Sequence, residues 1–196
     1  MFQIRNKSDI IDSYLSGVRD FPNTILTAVN FTKSNLEQIN LDDSNLIEVN
    51  WSNSSLNQAS FSRTCLCLSN FDNCCLIQAN FPKANLTEAN FTEANLENAN
   101  LGGANLEGAN FQRANLKGAD MRNIKLDKAC FAGAIYNNKT LFDRDFDPQA
   151  LGMIAEDMPK SKDLQSSSLL SQQNYDAVKK ILSWCLSHKS NLQTQD

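Results

Sequence analysis

The chain has 196 residues, of which 41% are apolar and 20% are charged, and its formal net charge at pH 7 is −4. This length fits one ordinary domain or two small ones, and the slight acidic excess argues against direct nucleic-acid binding, which needs a surplus of cations. No stretch approaches the roughly 20 apolar residues of a membrane span, and residues 1–7 lack the apolar core of a secretory signal, which favours a cytoplasmic protein.

Residues 1–20 are predicted to form an N-terminal cap around one short helix. Ser8 is a suitable N-cap residue, and Gly17 provides a stop signal after an apolar stripe. That stripe consists of Ile10, Ile11, Tyr14 and Leu15. We expect the helix to cover the start of the repeat that follows, because a solenoid otherwise exposes its apolar interior at each end.

A strict five-residue repeat occupies residues 21–136. From Phe21 to Phe131 every fifth residue is large and apolar, and we call this residue the centre of its unit. The residue two places before the centre is usually Ala and the residue one place before it is usually Asn, so the chain contains 25 Asn and 23 Leu. Neither a helix, with a period of 3.6, nor a strand, with a period of 2, generates this spacing. Internal repetition therefore determines the fold.

A second period of twenty residues groups the centres into four sets. One set is aromatic throughout and another is Leu throughout. We expect these two sets to lie in the core: Phe31, Trp51, Phe71, Phe91, Phe111 and Phe131, and Leu26, Leu46, Leu66, Leu86 and Leu106. Like residues that recur every twenty positions fit an all-β solenoid with four units per coil and coils about 4.8 Å apart.

The units from Ala79-Asn80-Phe81 to Ala119-Asp120-Met121 resemble the pentapeptide-repeat family, whose consensus is A(N/D)LXX. The resemblance implies a right-handed quadrilateral parallel β-helix, and the segment from residue 133 to residue 148 is similar to cyanobacterial-type members. It further implies a class of partner, because the best-understood members bind DNA gyrase as rod-shaped DNA mimics and protect it from quinolones or toxins.

Some units depart from the consensus. Ile39 and Ile124 are bulky in the slot where a small residue is expected. Between residues 54 and 75, several units carry Ser, Thr or Cys in place of Ala, Asn or both. We expect local widening or irregular turns at these places, without a break in the coil.

Residues 137–154 are predicted to form a C-terminal cap. Asp147 is a suitable N-cap residue, Pro148 suits the first helical position and Gly152 suits the residue that follows a helix. This pattern predicts one or two helical turns. The centres that remain in phase with the repeat in this region are Tyr136, Leu141 and Phe146.

Two further segments follow the cap. Residues 155–172 are polar and rich in Ser, which predicts a flexible linker, and residues 173–196 are predicted to form an amphipathic helix and a tail. The candidate interaction residues of this helix are Tyr175, Val178, Leu182, Trp184 and Cys185. Three alternatives are open for its apolar side: docking back onto the rod, forming a homodimer, or contacting a partner protein or a membrane surface.

The residue pattern does not favour catalysis. His188 is the single histidine, so neither a hydrolytic triad nor a His-based zinc site is predicted. Gly103 and Gly108 have the spacing of a phosphate-binding loop, but Ala109 stands where that loop requires Lys. We expect no enzymatic activity, no cofactor and no metal.

Four cysteines fall close together, which is the spacing of a candidate metal cluster: Cys65, Cys67, Cys74 and Cys75. The repeat places the first pair around one centre and the second pair before a centre two faces further round. The pairs should therefore lie on opposite sides of the rod, as free thiols rather than as a metal site or as disulfides, which are rare in a reducing compartment. Cys74 occupies the inward slot, so we expect it to be buried and inert.

A chain of this kind produces a rigid surface, which favours binding over catalysis. We expect a non-catalytic scaffold that presents a β-helical rod to a protein partner. The alternative is a DNA mimic that binds gyrase, a type II topoisomerase, and this requires a continuous negative surface. Residues 37–107 contain nine acidic residues against two basic ones, whereas residues 113–128 are predominantly basic.

Overall fold

A left-handed backbone residue ends each regular unit of the repeat. The residue two places after the centre has a φ between 54° and 61° at 19 non-glycine positions, and Gly103 and Gly108 occupy the same slot. In these units the N–H three residues after the centre donates to the centre carbonyl, as from Ala84 N to Phe81 O at 3.0 Å. This is the pattern of a type II turn, and each turn carries the chain around one corner of a square coil.

Four units make one coil, and consecutive coils pair in parallel. The computed structural model describes residues 3–156, in which backbone bridges join residues twenty apart, such as Asn90 and Asn110. Phe91 N donates forward to Asn110 O at 2.7 Å, and Asn90 N donates back to Ser69 O at 2.9 Å. Each unit contributes one bridging residue in place of a long strand, so ladders of single bridges hold the four sides of the column together.

Longer elements lie at the two ends of the column. Strand β1 (Gln3–Ile4) pairs in parallel with β2 (Thr24–Ile25), and helix α1 (Lys7–Leu15) comes between them in the chain. At the other end, β3 (Ile135–Tyr136) pairs in parallel with β4 (Ile154–Ala155). Both pairs continue the parallel stacking of the coils to the ends of the repeat.

The core is a file of side chains stacked along the inside of the coils. All eleven centres of the aromatic and Leu sets are between 0% and 2% exposed. In the aromatic set, the ring centroids of successive coils lie 4.7–6.2 Å apart and the rings are within 10° of parallel. Phe81, from a neighbouring side, meets Phe91 edge to face at 5.9 Å, so two aromatic files interlock. Trp51 leaves its buried Nε1 without a hydrogen-bond partner.

Polar residues in the small inward slot are accommodated by hydrogen bonds to the coil before them. Each hydroxyl donates to a centre carbonyl 23 residues earlier at 2.7–2.9 Å: Ser54 to Phe31, Thr64 to Leu41 and Ser69 to Leu46. The corners here keep the standard φ values of 61°, 54° and 60° at Asn53, Arg63 and Leu68. The expected irregular turns are therefore not observed between residues 54 and 75, because each added hydroxyl finds an acceptor already aimed into the bore.

Helix α1 closes the N-terminal end of the column. Its N-cap is Asn6 rather than the predicted Ser8: Asn6 Oδ1 accepts from Asp9 N at 2.9 Å and Asp9 Oδ2 accepts from Asn6 N at 3.2 Å. This reciprocal pair is a capping box, which satisfies two backbone donors and so fixes the start of the helix. Ile10 is buried against the first coil, whereas Leu15 is 77% exposed and does not belong to the packed side.

The register of the repeat shifts by one residue in the last coil. Leu141 bridges Asp120, an offset of 21 residues, and is 43% exposed. Thr140 is buried instead, and its Oγ1 donates to Leu116 O at 3.0 Å. Phe142 packs against the core in the place expected for Leu141. The prediction that Leu141 stays in phase is wrong, because the loop before it contains one residue more than a regular unit.

A single turn at Asp147 completes the C-terminal cap. Asp147 Oδ1 accepts from Gln149 N at 3.0 Å, as an N-cap residue does. Met153 N donates to Pro148 O at 2.9 Å and Gly152 N donates to Gln149 O at 3.0 Å, with Gly152 at a φ of 75°. These two bonds form a Schellman motif. The predicted roles of Asp147 and Gly152 are confirmed, with one turn between them.

Candidate interaction surface

Rows of Asn side chains run along the outside of the column. Asn90 is typical: its Oδ1 accepts from Thr92 N at 3.1 Å, and its Nδ2 donates to Asn70 Oδ1 one coil earlier at 3.0 Å. Asn115 Nδ2 donates to Asn95 Oδ1 in the same way at 2.9 Å. Because these amides brace turns and join coils, the Asn rows provide a rigid polar background on which other side chains are displayed.

The acidic excess of residues 37–107 is interrupted by ion pairs. Arg63 Nη2 lies 2.6 Å from Asp43 Oδ2, and Arg113 pairs with Glu93 one coil earlier. The hydrogen bond from Arg63 holds the pKa of the Asp43 carboxyl below its ordinary value. Lys83 occupies the same corner as Arg63 on the next coil. Along this corner a cation therefore follows the acid, and the row is not continuously negative.

One side of the column carries an exposed apolar group between carboxylates. We define the Leu68 patch as Ile47, Glu48, Cys67, Leu68 and Glu88. Glu48, Leu68 and Glu88 occupy the same corner on three successive coils, each with a φ between 56° and 60°. Leu68 is 44% exposed, and Ile47 and Cys67 are half-buried beside it. Among the corner residues that the structure describes, Leu68 is the only large apolar one.

The clustered cysteines separate into two pairs with different surroundings. Cys65 Sγ and Cys67 Sγ lie 3.5 Å apart on the side of the Leu68 patch, and burial raises the pKa of Cys67 to about 11. Cys74 is buried and donates to Trp51 O at 2.8 Å, and burial raises its pKa to about 12. These two thiols stay protonated near neutral pH, which makes them weak nucleophiles and weak metal ligands.

The sequence expectations for these cysteines agree with their surroundings. Cys65, Cys67, Cys74 and Cys75 are free, the predicted burial of Cys74 is confirmed, and Cys75 is exposed. Within residues 3–156, no three residues of the types His, Cys, Asp and Glu come together as metal ligands would.

The residues singled out from the sequence fall into two groups. The eleven core centres point inward and are buried, so they set the shape of the surface and do not contact a partner. The candidate interaction residues lie outside the described part of the chain: Tyr175, Val178, Leu182, Trp184 and Cys185. Sequence reasoning missed the Leu68 patch, although its signal was visible as a Leu in the last slot of a unit, where polar residues and Gly prevail.

Comparison with known proteins identifies the repeat. The family profile of pentapeptide repeats matches eight copies, over residues 34–73, 69–108 and 104–135, which together span just over half of the chain. The chain belongs to the pentapeptide-repeat family. The prediction of this family from the A(N/D)LXX pattern is confirmed, and its members are right-handed parallel β-helices. Among curated proteins, none matches this sequence.

Several solved pentapeptide-repeat structures are similar to the chain. Rfr23 from the cyanobacterium Cyanothece 51142 is 24% identical with a TM-score of 0.35, over 69% of this chain and 99% of that one. A protein of the Arabidopsis thaliana thylakoid lumen is 29% identical with a TM-score of 0.38, over 60% and 68% of the two chains. QnrB1, a plasmid-mediated fluoroquinolone resistance protein, is 16% identical with a TM-score of 0.29, over 70% and 84%.

The pentapeptide repeat of this chain carries no membrane-spanning element in its described part. Helix α1 is the one helix there, and it is too short and too polar to cross a bilayer. The exposed features that remain for recognition are therefore the side chains displayed on the rod.

Proposed function

We propose that this pentapeptide-repeat protein is a non-catalytic cytoplasmic scaffold that presents its rod to a protein partner through the Leu68 patch. The observation that carries the proposal is the exposed Leu68 side chain, which stands at a left-handed corner between Glu48 and Glu88. Membership of the family supports it, because stacked repeats offer an extended and rigid surface for binding.

Folding alone does not account for a Leu at this corner. A left-handed conformation costs an ordinary L-residue roughly 1–2 kcal/mol, and Gly or Asn adopts it more easily. Asn73, Asn98 and Gly103 fill the equivalent corner of other units. At 44% exposure, Leu68 recovers only part of the free energy that burial would provide. A residue that breaks a local rule without a packing gain is best explained by an external contact.

The chemistry of the patch suits a protein segment with an apolar residue flanked by basic ones. Leu68, Ile47 and the Cys67 side chain form the apolar centre, and a carboxylate stands one coil before and one coil after it. Since coils stack about 4.8 Å apart, Glu48 and Glu88 are separated by roughly 10 Å. A bound segment would cover Leu68 and place its basic side chains against the two carboxylates.

The test uses a substitution that removes the apolar group and suits the backbone. Wild-type protein, Leu68→Asn and Gln78→Asn are each immobilised and exposed to a lysate of the source organism, and bound proteins are quantified by mass spectrometry. Gln78 is the matched control, because it has the same corner conformation, a φ of 59°, on the opposite side of the column. The captured partner is then purified and titrated against each variant by calorimetry.

We expect Leu68→Asn to weaken this binding about tenfold or more, since covering an exposed Leu side chain contributes on the order of 1.5 kcal/mol or more. Gln78→Asn should bind as the wild type does. A partner that binds all three proteins with equal affinity would show that the patch is not the binding surface.

The gyrase-binding DNA mimic is the second candidate, and its support is the acidic excess of residues 37–107. It is weaker because Arg63 and Arg113 pair with Asp43 and Glu93, and because Leu68 separates the two carboxylates of its own corner. A DNA mimic requires an uninterrupted negative row. Inhibition of gyrase supercoiling by micromolar protein would favour this candidate over the scaffold.

A further inference from the structure

Cys130 is disulfide-bonded, unlike the four free cysteines of the described chain. The sequence contains six cysteines, and the remaining one is Cys185. We infer that Cys130 pairs with Cys185 of the same chain, and that this bond docks the amphipathic segment 173–188 on the outside of the column at Cys130 and Ala132. The inference goes beyond the proposed scaffold function, and it selects docking on the rod among the alternatives for this segment.

Burial on the outside of the column marks the docking position. Cys130 bridges Asn110 and therefore occupies the outward slot that Asn fills on the four preceding coils of this side. Ala132 takes the next outward place on the same side. Cys130 is 5% exposed and Ala132 is 3% exposed, and together they form an apolar cluster separate from the main core. Asn110 and Gln112, the equivalent residues one coil earlier, are only half-buried.

The sequence of the segment fits this cluster. Cys185 lies within the apolar sector of the predicted helix, so a bond through its sulfur turns that sector toward the rod. The residues that would then pack around Cys130 and Ala132 are Tyr175, Val178, Leu182 and Trp184. An isolated helix of this length is marginal in water, and burial of its apolar sector would stabilise it.

The connecting chain is long enough to close the bond within one molecule. Residues 157–184 could span roughly 90 Å when extended, whereas the column of coils is about 26 Å long. A flexible tether of this kind gives an effective concentration near the millimolar range, far above a micromolar concentration of second copies. The intramolecular bond is therefore favoured over a Cys130–Cys185 bond between two chains.

Formation of the bond requires an oxidant, for which we name a low-molecular-weight disulfide such as glutathione disulfide. The Cys185 thiolate attacks one sulfur of this reagent and releases one thiol. The Cys130 thiolate then attacks the mixed disulfide and releases the second. Two protein thiols lose two protons and two electrons, and the reagent is reduced to two thiols. In a reducing cytoplasm the segment would be released, so that its docking responds to the redox state.

Tryptic mapping tests the pairing directly. Cleavage after Lys and Arg places Cys130 in peptide 129–139 and Cys185 in peptide 181–189, while the other four cysteines share peptide 64–83. The full chain is equilibrated with glutathione disulfide, its free thiols are alkylated, and the digest is analysed without reduction. We expect most of peptide 129–139 to be linked to peptide 181–189 in material that runs as a monomer on a non-reducing gel.

Two variants make the test specific. Cys185→Ser should leave Cys130 fully alkylated and raise the rate at which trypsin cleaves within residues 157–196 severalfold in reducing and oxidising buffer alike. Cys75→Ser, at an exposed free thiol, should leave the link intact. The inference is overturned if Cys130 is alkylated after oxidation, if it is linked to peptide 64–83, or if the link joins two chains in a dimer. None of these results bears on binding at the Leu68 patch.

Discussion

At the scale of single residues, the last slot of each unit carries the conformational cost of the fold. Nineteen non-glycine residues hold a left-handed φ there, at a cost of roughly 1–2 kcal/mol for an ordinary residue. The backbone offsets this cost because each corner N–H donates to the next coil, as from Glu93 N to Gln112 O at 2.9 Å. The rule that only Gly and Asn tolerate such positions is therefore relaxed inside a repeating ladder.

The aromatic file should contribute a large share of stability. Phe91 stacks on Phe71 and Phe111 at 4.7 Å and is fully buried. Replacing Phe91 by Ala should lower the free energy of unfolding by about 3–5 kcal/mol, as other buried large-to-small changes do. Phe91→Leu should cost much less, since Leu fills the centre on other sides. Equal melting temperatures for wild type and Phe91→Ala would contradict the inward stack.

Trp51 should behave in the opposite way. Its Nε1 is buried without a partner, and its ring lies 6.2 Å from Phe71, the loosest contact of the parallel file. Trp51→Phe matches the rest of this file and removes the unpaired donor, which costs about 1–3 kcal/mol where it is buried. We expect a change within about 1 kcal/mol of zero, or a gain, in chemical denaturation. A loss comparable to that of Phe91→Ala would show that the indole packs better than this geometry indicates.

At the scale of elements, the caps show how far sequence patterns reach. The Asp147 to Gly152 turn was predictable because its signals are local: an acceptor at one end and a residue with positive φ at the other. The start of α1 was misassigned, since both Asn6 and Ser8 can cap a helix, and only Asn6 is reciprocated by Asp9. The shift at Leu141 was also missed, because an added loop residue changes the register of every residue after it without changing their spacing.

Helix α1 offers a matched pair of apolar residues for testing the cap. Ile10 is 1% exposed against the first coil, and Leu15 is 77% exposed on the same helix. Ile10→Ala should lower the free energy of unfolding by about 2–5 kcal/mol, because it uncovers the end of the core. Leu15→Ala should change it by less than about 0.5 kcal/mol. Similar losses for both variants, measured by urea denaturation, would show that the helix packs through a different side.

At the scale of the whole molecule, the column keeps one interior and displays four different exteriors. The interior was predictable from the sequence, because the periods of five and twenty residues assign every centre to a file. The exterior was not, since Leu68 looks like one more large residue until the turn geometry places it outside. Charge counts along the chain misled for the same reason: Arg63 and Asp43 are twenty residues apart in sequence and in contact in space.

The central claim is that a protein partner covers the Leu68 patch, and two native thiols can report on it. Cys67 belongs to the patch, and Cys75 is exposed on the opposite side of the column. With the partner in saturating amount, the rate of Cys67 alkylation at pH 8.5 should fall at least about tenfold while that of Cys75 is unchanged, because a bound segment excludes the reagent from one side only. An unchanged Cys67 rate, or protection of Cys75 alone, would contradict the account.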